Sequence, residues 1–229
     1  MRIMRAHKPG RWRRAFLALA LALVVALAAL LALWRFAPPV STLMLGRYIS
    51  MKRVERVYVP LERMAPALVE AVVVAEDARF CKHGGVDWSA VNAVIETADE
   101  DGPSRGASTI AMQTAKNLFL WPSRSYIRKA LEIPLALAID LVWPKRRVLE
   151  VYLNIAEWGE GVFGVEAAAR RYFGKGASAL TAREAALLAA ALPLPRARNP
   201  ARPTARQQAY AGTIAARARL SGGLLACLE

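Results

Sequence analysis

Apolar residues dominate one long stretch near the N-terminus, where they follow one another without a polar interruption. From Ala15 to Trp34 there are twenty residues with no charge and no helix breaker. At 1.5 Å per residue, a helix of this length spans about 30 Å, the thickness of the hydrocarbon core of a bilayer. The pattern predicts an uncleaved transmembrane helix over residues 15–34.

Positive charge is distributed unevenly about this helix. Residues 1–14 form a basic tail with six cations and no acid, and Arg35 directly follows the span. The asymmetry predicts a single-pass protein of the cell inner membrane, with a cytoplasmic N-terminus and a periplasmic remainder. The alternative is a cleaved signal peptide, but the apolar run is longer than the usual stretch of about 7–15 residues, and Trp34-Arg35-Phe36 is a poor cleavage context.

Beyond a juxtamembrane linker at residues 35–59, apolar residues recur at helical spacing, and we find no strand-like alternation. Start signals such as Pro66 and the Thr181–Glu184 capping box divide this region into helices. We predict a mainly α-helical domain over residues 60–200 and a basic helix within residues 201–229. The predicted helices cover residues 66–77, 88–98, 144–154 and 165–173, followed by one that Thr181 opens and one over residues 203–220.

The 229 residues include 32 Lys and Arg and 18 Asp and Glu, which gives a net charge of +14. Such an excess suits nucleic acid, an anionic membrane surface or a phosphate-bearing substrate. The membrane anchor argues against nucleic acid, because the bulk of the chain would then lie outside the cytoplasm. The cysteines, Cys81 and Cys227, are far apart and lack metal-binding spacing, and we expect two free thiols.

The first stretch with chemical character is Glu76–Gly85, in which two adjacent carboxylates follow the apolar run Ala71–Ala75. A carboxyl group at the end of an apolar segment tends to be partly desolvated, which raises its pKa and suits it to proton transfer. The alternative is a surface helix that ends at the acidic pair, with the two glycines of the stretch as its stop signal.

A second stretch, Gly106–Asn117, combines a glycine, the cap candidates Ser108 and Thr109, and a helix start. This combination commonly exposes backbone N–H groups to an anion. Gln113 and Lys116 lie three residues apart and therefore share a helix face. An ordinary capped helix is the alternative.

A cationic cluster in residues 123–129 is followed by Glu132 within an apolar run. On a helix capped by Ser125, Arg128 and Lys129 lie four and three residues before Glu132, so both can pair with it. The alternative is a surface salt bridge of little energetic value. Because the neighbours of Glu132 are apolar, we expect it to be partly buried and functional. Pro134 should kink or locally open this helix.

In this order, these stretches resemble the motifs of the peptidoglycan glycosyltransferases of glycosyltransferase family 51. The resemblance covers roughly residues 60–200, and Asp140 stands where the family commonly has Glu. It implies a mainly α, lysozyme-like glycosyltransferase domain. The matching segments are Glu76–Gly85 (EDxxFxxHxG), Gly106–Asn117 (GxSTIxxQxxKN), Arg128–Glu132 (RKxxE) and Glu150–Asn154 with Gly159.

The resemblance implies an enzyme that polymerises lipid II into β-1,4-linked glycan strands for cell wall biogenesis, with inversion and with release of undecaprenyl diphosphate. Its partners would be lipid II, the growing lipid-linked glycan and the membrane, and an association with cell-division or cell-wall synthesis proteins is left open. No Ser-x-x-Lys occurs, so we expect no transpeptidase activity.

By the same resemblance, Glu76 is the general base and Glu132 is a second carboxylate near the diphosphate. No cofactor is required with certainty, and a divalent ion (Mg²⁺ or Mn²⁺) at Glu132 is left open. Expected contacts with sugar or diphosphate are Phe80, His83, Ser108, Thr109, Gln113, Lys116, Asn117, Arg124, Arg128 and Lys129.

Physical chemistry agrees with this reading, because a diphosphate leaving group needs cations that hold its developing negative charge. Two rivals remain. A lysozyme-like glycan hydrolase also uses paired carboxylates on a helical fold. Such an enzyme has no diphosphate leaving group, so the cationic cluster would have no function in it. A membrane-anchored scaffold would not depend on Glu76.

Overall fold

The computed structural model describes residues 10–96, 107–123, 125–220 and 225–228, without the side chain of Ile95. The chain divides into two compact units, Met1–Ala37 and Pro38–Glu229. The first unit contains α1 (Arg11–Trp34), which among the described residues is the one helix long and apolar enough to cross a membrane. The span predicted over residues 15–34 lies within α1.

The second unit is mainly helical, as predicted. Nine helices and four 3₁₀ turns cover most of its described residues. The helices are α2 (Thr42–Ile49), α3 (Pro66–Glu76), α4 (Trp88–Glu96), α5 (Ile110–Phe119), α6 (Tyr126–Val142), α7 (Lys145–Ile155), α8 (Val165–Phe173), α9 (Ala182–Ala191) and α10 (Ala205–Arg219). The 3₁₀ turns are Leu61–Arg63, Phe80–Lys82, Ala177–Ala179 and Ala226–Leu228.

Hydroxyl side chains begin several of these helices. Thr109, Ser125 and Thr181 each accept a hydrogen bond from the backbone N–H three residues on, which satisfies a donor that the helix itself leaves free. The predicted capping box at Thr181 and Glu184 is confirmed, and Thr204 forms a second one with Gln207.

A small three-stranded sheet, absent from the sequence prediction, interrupts the helices. Its strands are β1 (Glu55–Arg56), β2 (Glu157–Gly159) and β3 (Val162–Phe163), in the order β1-β3-β2. β1 runs parallel to β3, whereas β2 and β3 form an antiparallel hairpin. Strands of two or three residues are too short to produce a recognisable alternation of polar and apolar positions.

The core is formed by two groups of packed helices. α3 packs against α9 and α10, and α5 packs against α6 and α7. α3 is apolar around most of its circumference, and residues such as Leu68 and Val72 are fully buried. A helix of this kind must be covered on several sides, so its C-terminal end and the carboxylates there are held rigidly.

The expectation of two free thiols is wrong. Cys81 and Cys227, which are 146 positions apart in sequence, form a disulfide with their Cα atoms 5.5 Å apart. The 3₁₀ turn at Ala226–Leu228 is brought against the turn at Phe80–Lys82 by the tertiary fold. A separation of this size leaves no local signal in the sequence, which is why spacing alone could not predict the pair.

Pro134 does not end its helix. α6 continues from Tyr126 to Val142 with Pro134 in its interior. The proline has no N–H to donate, so α6 lacks one backbone hydrogen bond at this point. Glu132, one turn after Arg128, remains buried and paired, as described below.

Candidate active site

Glu76 is the last residue of α3, and its half-buried carboxylate is held by α5. Gln113 donates a hydrogen bond from Nε2 to Glu76 Oε2 at 2.7 Å. Tyr152 on α7 donates its hydroxyl to Gln113 Oε1 at 3.0 Å, which fixes the orientation of the amide. Three helices therefore define the position of one carboxylate.

The pKa of the Glu76 carboxyl is raised above its ordinary value, chiefly because burial disfavours the charged form. The hydrogen bond from Gln113 and the positive charges of Lys116 and Arg198 act in the opposite direction, while the neighbouring Asp77 raises the pKa further. A raised pKa makes the ionised carboxylate a stronger base, which suits it to accept a proton.

Asp77, the residue after Glu76, stabilises the fold around the site. Its Oδ2 accepts a hydrogen bond from the backbone N–H of Ile110 at 3.0 Å, at the start of α5, and its Oδ1 lies 2.9 Å from His83 Nε2. Thr109, which was predicted to contact substrate, is buried, caps α5, and donates its hydroxyl to the Gly85 carbonyl at 2.6 Å. These bonds join the segment after α3 to the N-terminus of α5.

Phe80 and His83, also predicted to contact substrate, are turned into the protein. The ring of Phe80 is fully buried, and the side chain of His83 is nearly so. Lys145 Nζ lies 4.9 Å from the centre of the Phe80 ring and donates to the His83 carbonyl at 2.6 Å. In this arrangement neither ring offers a surface to a substrate, and both help to hold the loop that follows Glu76.

The predicted cationic cluster is assembled around Glu132, whose side chain is 3% exposed. Arg128 pairs with Glu132 Oε1, and Lys129 Nζ lies 2.9 Å from Oε2. Lys129 Nζ also donates to the Ser108 hydroxyl at 2.6 Å. The alternative of an exposed salt bridge is therefore wrong for Glu132, because this carboxylate is buried and both of its oxygens have cationic partners.

Lys116 interacts electrostatically with both this cluster and Glu76. Burial lowers the pKa of the Lys116 ammonium, as do the positive charges of Arg128 and Lys129, whereas Glu132 and Glu76 raise it. Lys116 is therefore within electrostatic range of both carboxylates. Lys116 therefore links the part of the predicted site around Glu76 to the part around Glu132.

A cavity of about 400 Å³ opens beside these residues. Gln113, Lys116 and Arg128 give it a polar wall, and Asn117, which is largely buried, also lines it. The remaining lining is formed largely by apolar residues, including Leu43, Leu120, Trp121, Leu192 and Pro193. Glu76 is bonded to Gln113 and Glu132 to Arg128, and both of these partners line the cavity. Arg124, the remaining predicted contact, lies outside the described residues.

Comparison with known proteins identifies the family. Residues 43–219 match the family model described as Transglycosylase. A biosynthetic peptidoglycan transglycosylase of Brucella suis biovar 1 is 55% identical over 194 residues, which are 85% of this chain and 87% of the relative. Proteins of the same name from Rhodospirillum centenum and Rhizobium meliloti are 50% and 46% identical, over 90% and 96% of this chain and 91% and 98% of their own lengths.

The chain belongs to the transglycosylase family.

Two residues of this transglycosylase site were missed by the sequence analysis. Tyr152, within the fourth matching segment, holds Gln113, and Arg198, in the loop after α9, acts on the charge of Glu76. Tyr152 could have been found from that segment. Arg198 could not, because it is 122 residues from Glu76 in sequence and only the fold brings the two together.

Apart from Tyr152, the fourth matching segment, Glu150–Asn154, stabilises the fold of the transglycosylase domain. Asn154 accepts from Val59 N–H at 2.9 Å and donates to the Val59 carbonyl at 2.8 Å. Glu150 accepts from the Tyr58 hydroxyl at 2.8 Å and from Leu61 N–H at 3.0 Å. These bonds attach the segment before α3 to α7.

The residues around Glu132 do not fit a divalent ion held by the protein alone. Both of its carboxylate oxygens accept from cations. In the described part of the chain, no group of three or more His, Cys, Asp or Glu side chains is placed to hold a metal. This donor set suits an ion-pair network next to an anionic substrate group.

Proposed function

We propose that this chain polymerises lipid II into glycan strands, with Glu76 as the base and the Lys116–Arg128–Lys129 group as the diphosphate site. Membership of the transglycosylase family makes the chain a peptidoglycan glycosyltransferase of cell wall synthesis. One observation carries the proposal: α5 places Gln113, which holds Glu76, and Lys116, which faces the cationic cluster, on the wall of one cavity.

In the proposed reaction, Glu76 takes the proton from the 4-hydroxyl of the acceptor's GlcNAc as that oxygen attacks the anomeric carbon of the donor's MurNAc. The bond from this carbon to the diphosphate breaks, and its electron pair leaves with undecaprenyl diphosphate. Attack from the face opposite the leaving group inverts the configuration and needs one base.

The cations stabilise the leaving group. A diphosphate gains negative charge as its bond to the sugar breaks, and preorganised cations favour that state. Lys116 is partly buried, so its interaction with an anion is screened less than that of an exposed lysine. Glu132 holds Arg128 and Lys129 in place and keeps their mutual repulsion from dispersing the cluster.

We further propose that the chain is anchored in the inner membrane with its catalytic unit on the outer face. α1 meets the length and composition required for a single span, and the basic tail before it favours the cytoplasm. The Cys81–Cys227 disulfide supports the same location independently, because disulfides persist in oxidising compartments outside the cytoplasm. α6 also exposes Tyr126 and Leu141, 95% and 87% accessible, as a surface next to lipid would.

A direct assay tests the proposed function. Full-length protein in detergent should consume fluorescent lipid II and produce glycan polymer, and it should not shorten preformed polymer. Shortened polymer together with unconsumed lipid II would indicate a glycan hydrolase instead. Absence of both activities in the wild type, together with an intact cellular function in the Glu76→Gln variant, would favour the scaffold.

The pH dependence of turnover should report the hydrogen bond from Gln113 to Glu76. A base acts in its ionised form, so activity falls as pH drops through the pKa of Glu76, which burial places above the ordinary range for a glutamate. Because the Gln113 bond lowers this pKa, Gln113→Met should move the acidic limb of kcat/KM to higher pH.

Tyr152→Phe is the matched control for that measurement. It removes the bond from the Tyr152 hydroxyl to Gln113 but leaves the Gln113–Glu76 bond in place. Its acidic limb should therefore stay close to that of the wild type. An unchanged limb in Gln113→Met would show that Glu76 is not the group whose titration limits turnover.

A further inference from the structure

The loop that follows Glu76 is held by several noncovalent bonds and one covalent bond. Asp77 attaches its beginning to α5, the Gly85 carbonyl accepts from Thr109, and the His83 carbonyl accepts from Lys145. Between these attachments lies the 3₁₀ turn Phe80–Lys82, whose Cys81 is bonded to Cys227. The disulfide is therefore five residues from the proposed base.

The other end of the disulfide belongs to the C-terminal 3₁₀ turn, Ala226–Leu228. Leu228 is buried, and its carbonyl accepts a hydrogen bond from Arg146 Nη1 at 2.9 Å. Leu225 and Leu228 line a cavity of about 410 Å³ together with Pro66 and Val69, in the first half of α3. The C-terminal turn thus lies beside the start of α3, and its disulfide reaches the loop that begins where α3 ends.

We propose that the Cys81–Cys227 disulfide is a positioning device for the reaction, which makes full turnover depend on the oxidised state of this pair. The C-terminal turn lies beside the start of α3 and is bonded to the loop that follows α3. This arrangement, which we call the clasp, holds Glu76 in place relative to Gln113 on α5. Small displacements of a catalytic group are costly, since about 1 Å can reduce the rate about 100-fold. The proposal rests on the proposed function, because the property that the disulfide controls is polymerisation of lipid II.

Reduction breaks the covalent bond of this clasp by thiol–disulfide exchange. A dithiol such as dithiothreitol delivers two electrons and two protons: the S–S bond breaks, Cys81 and Cys227 become thiols, and the reductant becomes a cyclic disulfide. The C-terminal turn then keeps the burial of Leu228 and its bond to Arg146 but has no covalent link to the loop. Both cysteines are partly accessible to solvent, so a small reductant can reach the bond.

The experiment compares full-length wild type, Cys81→Ser, Cys227→Ser and the double variant in detergent. Steady-state kinetics with lipid II at 25 °C and thermal unfolding are measured before and after dithiothreitol, and after reoxidation. We expect reduction, or either substitution, to lower kcat about 10- to 100-fold with little change in KM. The melting temperature should fall by about 5–15 °C. Reoxidation should restore the wild type, and dithiothreitol should not affect the variants.

Thr204→Ala provides the control for a purely structural effect. It removes the N-cap of α10, which the mechanism does not use, and should lower the melting temperature by about 2–4 °C without changing kcat. Unchanged kcat at 25 °C in the reduced wild type would show that the disulfide stabilises the fold without positioning Glu76, which overturns the proposal. A loss of kcat in Cys81→Ser but not in Cys227→Ser overturns it as well.

A separate readout distinguishes failure of this proposal from failure of the proposed function. If oxidised wild type does not polymerise lipid II, the proposed function fails by itself. Amide hydrogen exchange of residues 77–85 then still tests the clasp, and we expect it to accelerate about tenfold or more on reduction. Equal exchange rates in the oxidised and reduced protein would contradict the clasp.

Discussion

Glu76→Gln should abolish nearly all polymerisation of lipid II while the protein stays folded. The amide cannot accept the proton of the acceptor hydroxyl, and loss of a positioned general base reduces turnover by about 10²–10⁴-fold. The measurement is the initial rate of polymer formation from fluorescent lipid II, with melting temperature recorded on the same samples. Turnover within about tenfold of wild type would exclude Glu76 as the base.

The physical reason for a retained fold is that the substitution keeps the hydrogen bond from Gln113. The new amide oxygen can accept from Gln113 Nε2 as the carboxylate does. Burial raises the pKa of Glu76, which means that its ionised form is less favourable in the folded than in the unfolded protein. Removing this charge should therefore leave the melting temperature unchanged or raise it at neutral pH.

Asp77→Ala, at the adjacent position, is the matched control, and it should destabilise the fold, which Glu76→Gln should not. It leaves the buried N–H of Ile110 and the ring of His83 without their acceptor. Each buried polar group left unpaired costs about 1–3 kcal/mol. We expect a clear fall in melting temperature for Asp77→Ala, in contrast to Glu76→Gln.

Glu132→Gln should lower both the melting temperature and the turnover of the protein. The substitution leaves Arg128 and Lys129 without their anionic partner, and breaking a buried ion pair from one side costs about 3–5 kcal/mol. In a protein of this size we expect a fall in melting temperature of roughly 10 °C. Displaced cations should also lower turnover by about 100-fold, measured with lipid II well below the unfolding temperature.

The double variant Arg128→Met with Glu132→Leu separates these two effects. Exchanging a buried cation and its carboxylate partner for apolar residues is often neutral for stability, and Lys129, whose side chain is 41% exposed, keeps solvent and the Ser108 hydroxyl as partners. We expect most of the melting temperature to return while turnover stays low, because the cation is still missing from the cavity wall. Recovery of turnover together with stability would contradict a role for Arg128 in holding the diphosphate.

Much of the fold followed from local signals. The helix predicted over residues 165–173 coincides with α8, and the predicted capping box begins α9. The start of α3 at Pro66 was also predicted correctly. These features depend on residues within one or two turns of each other, and such short-range interactions can be read along the chain.

The disulfide and the small sheet could not be predicted in the same way. Cys81 meets Cys227 across 146 residues, and β1 pairs with β3 more than a hundred residues later. The burial of Phe80 and His83 is a similar case, since their motif gave no indication that Lys145 on α7 would cover them. Contacts of this kind depend on how helices pack, which no local pattern encodes.

The sequence by itself determined the helical class, the apolar span and the identities of the acid and basic residues of the site, because composition and periodicity are local properties. Only the tertiary structure decided which of those residues act together. It gave Glu76 a partially desolvated position bonded to Gln113, it buried Glu132 between Arg128 and Lys129, and it assigned Asp77 to the start of α5. The physical reason is that desolvation and charge pairing depend on neighbours in space. Packing of α5 against α6 and α7, and the bond from α5 to the end of α3, supply those neighbours.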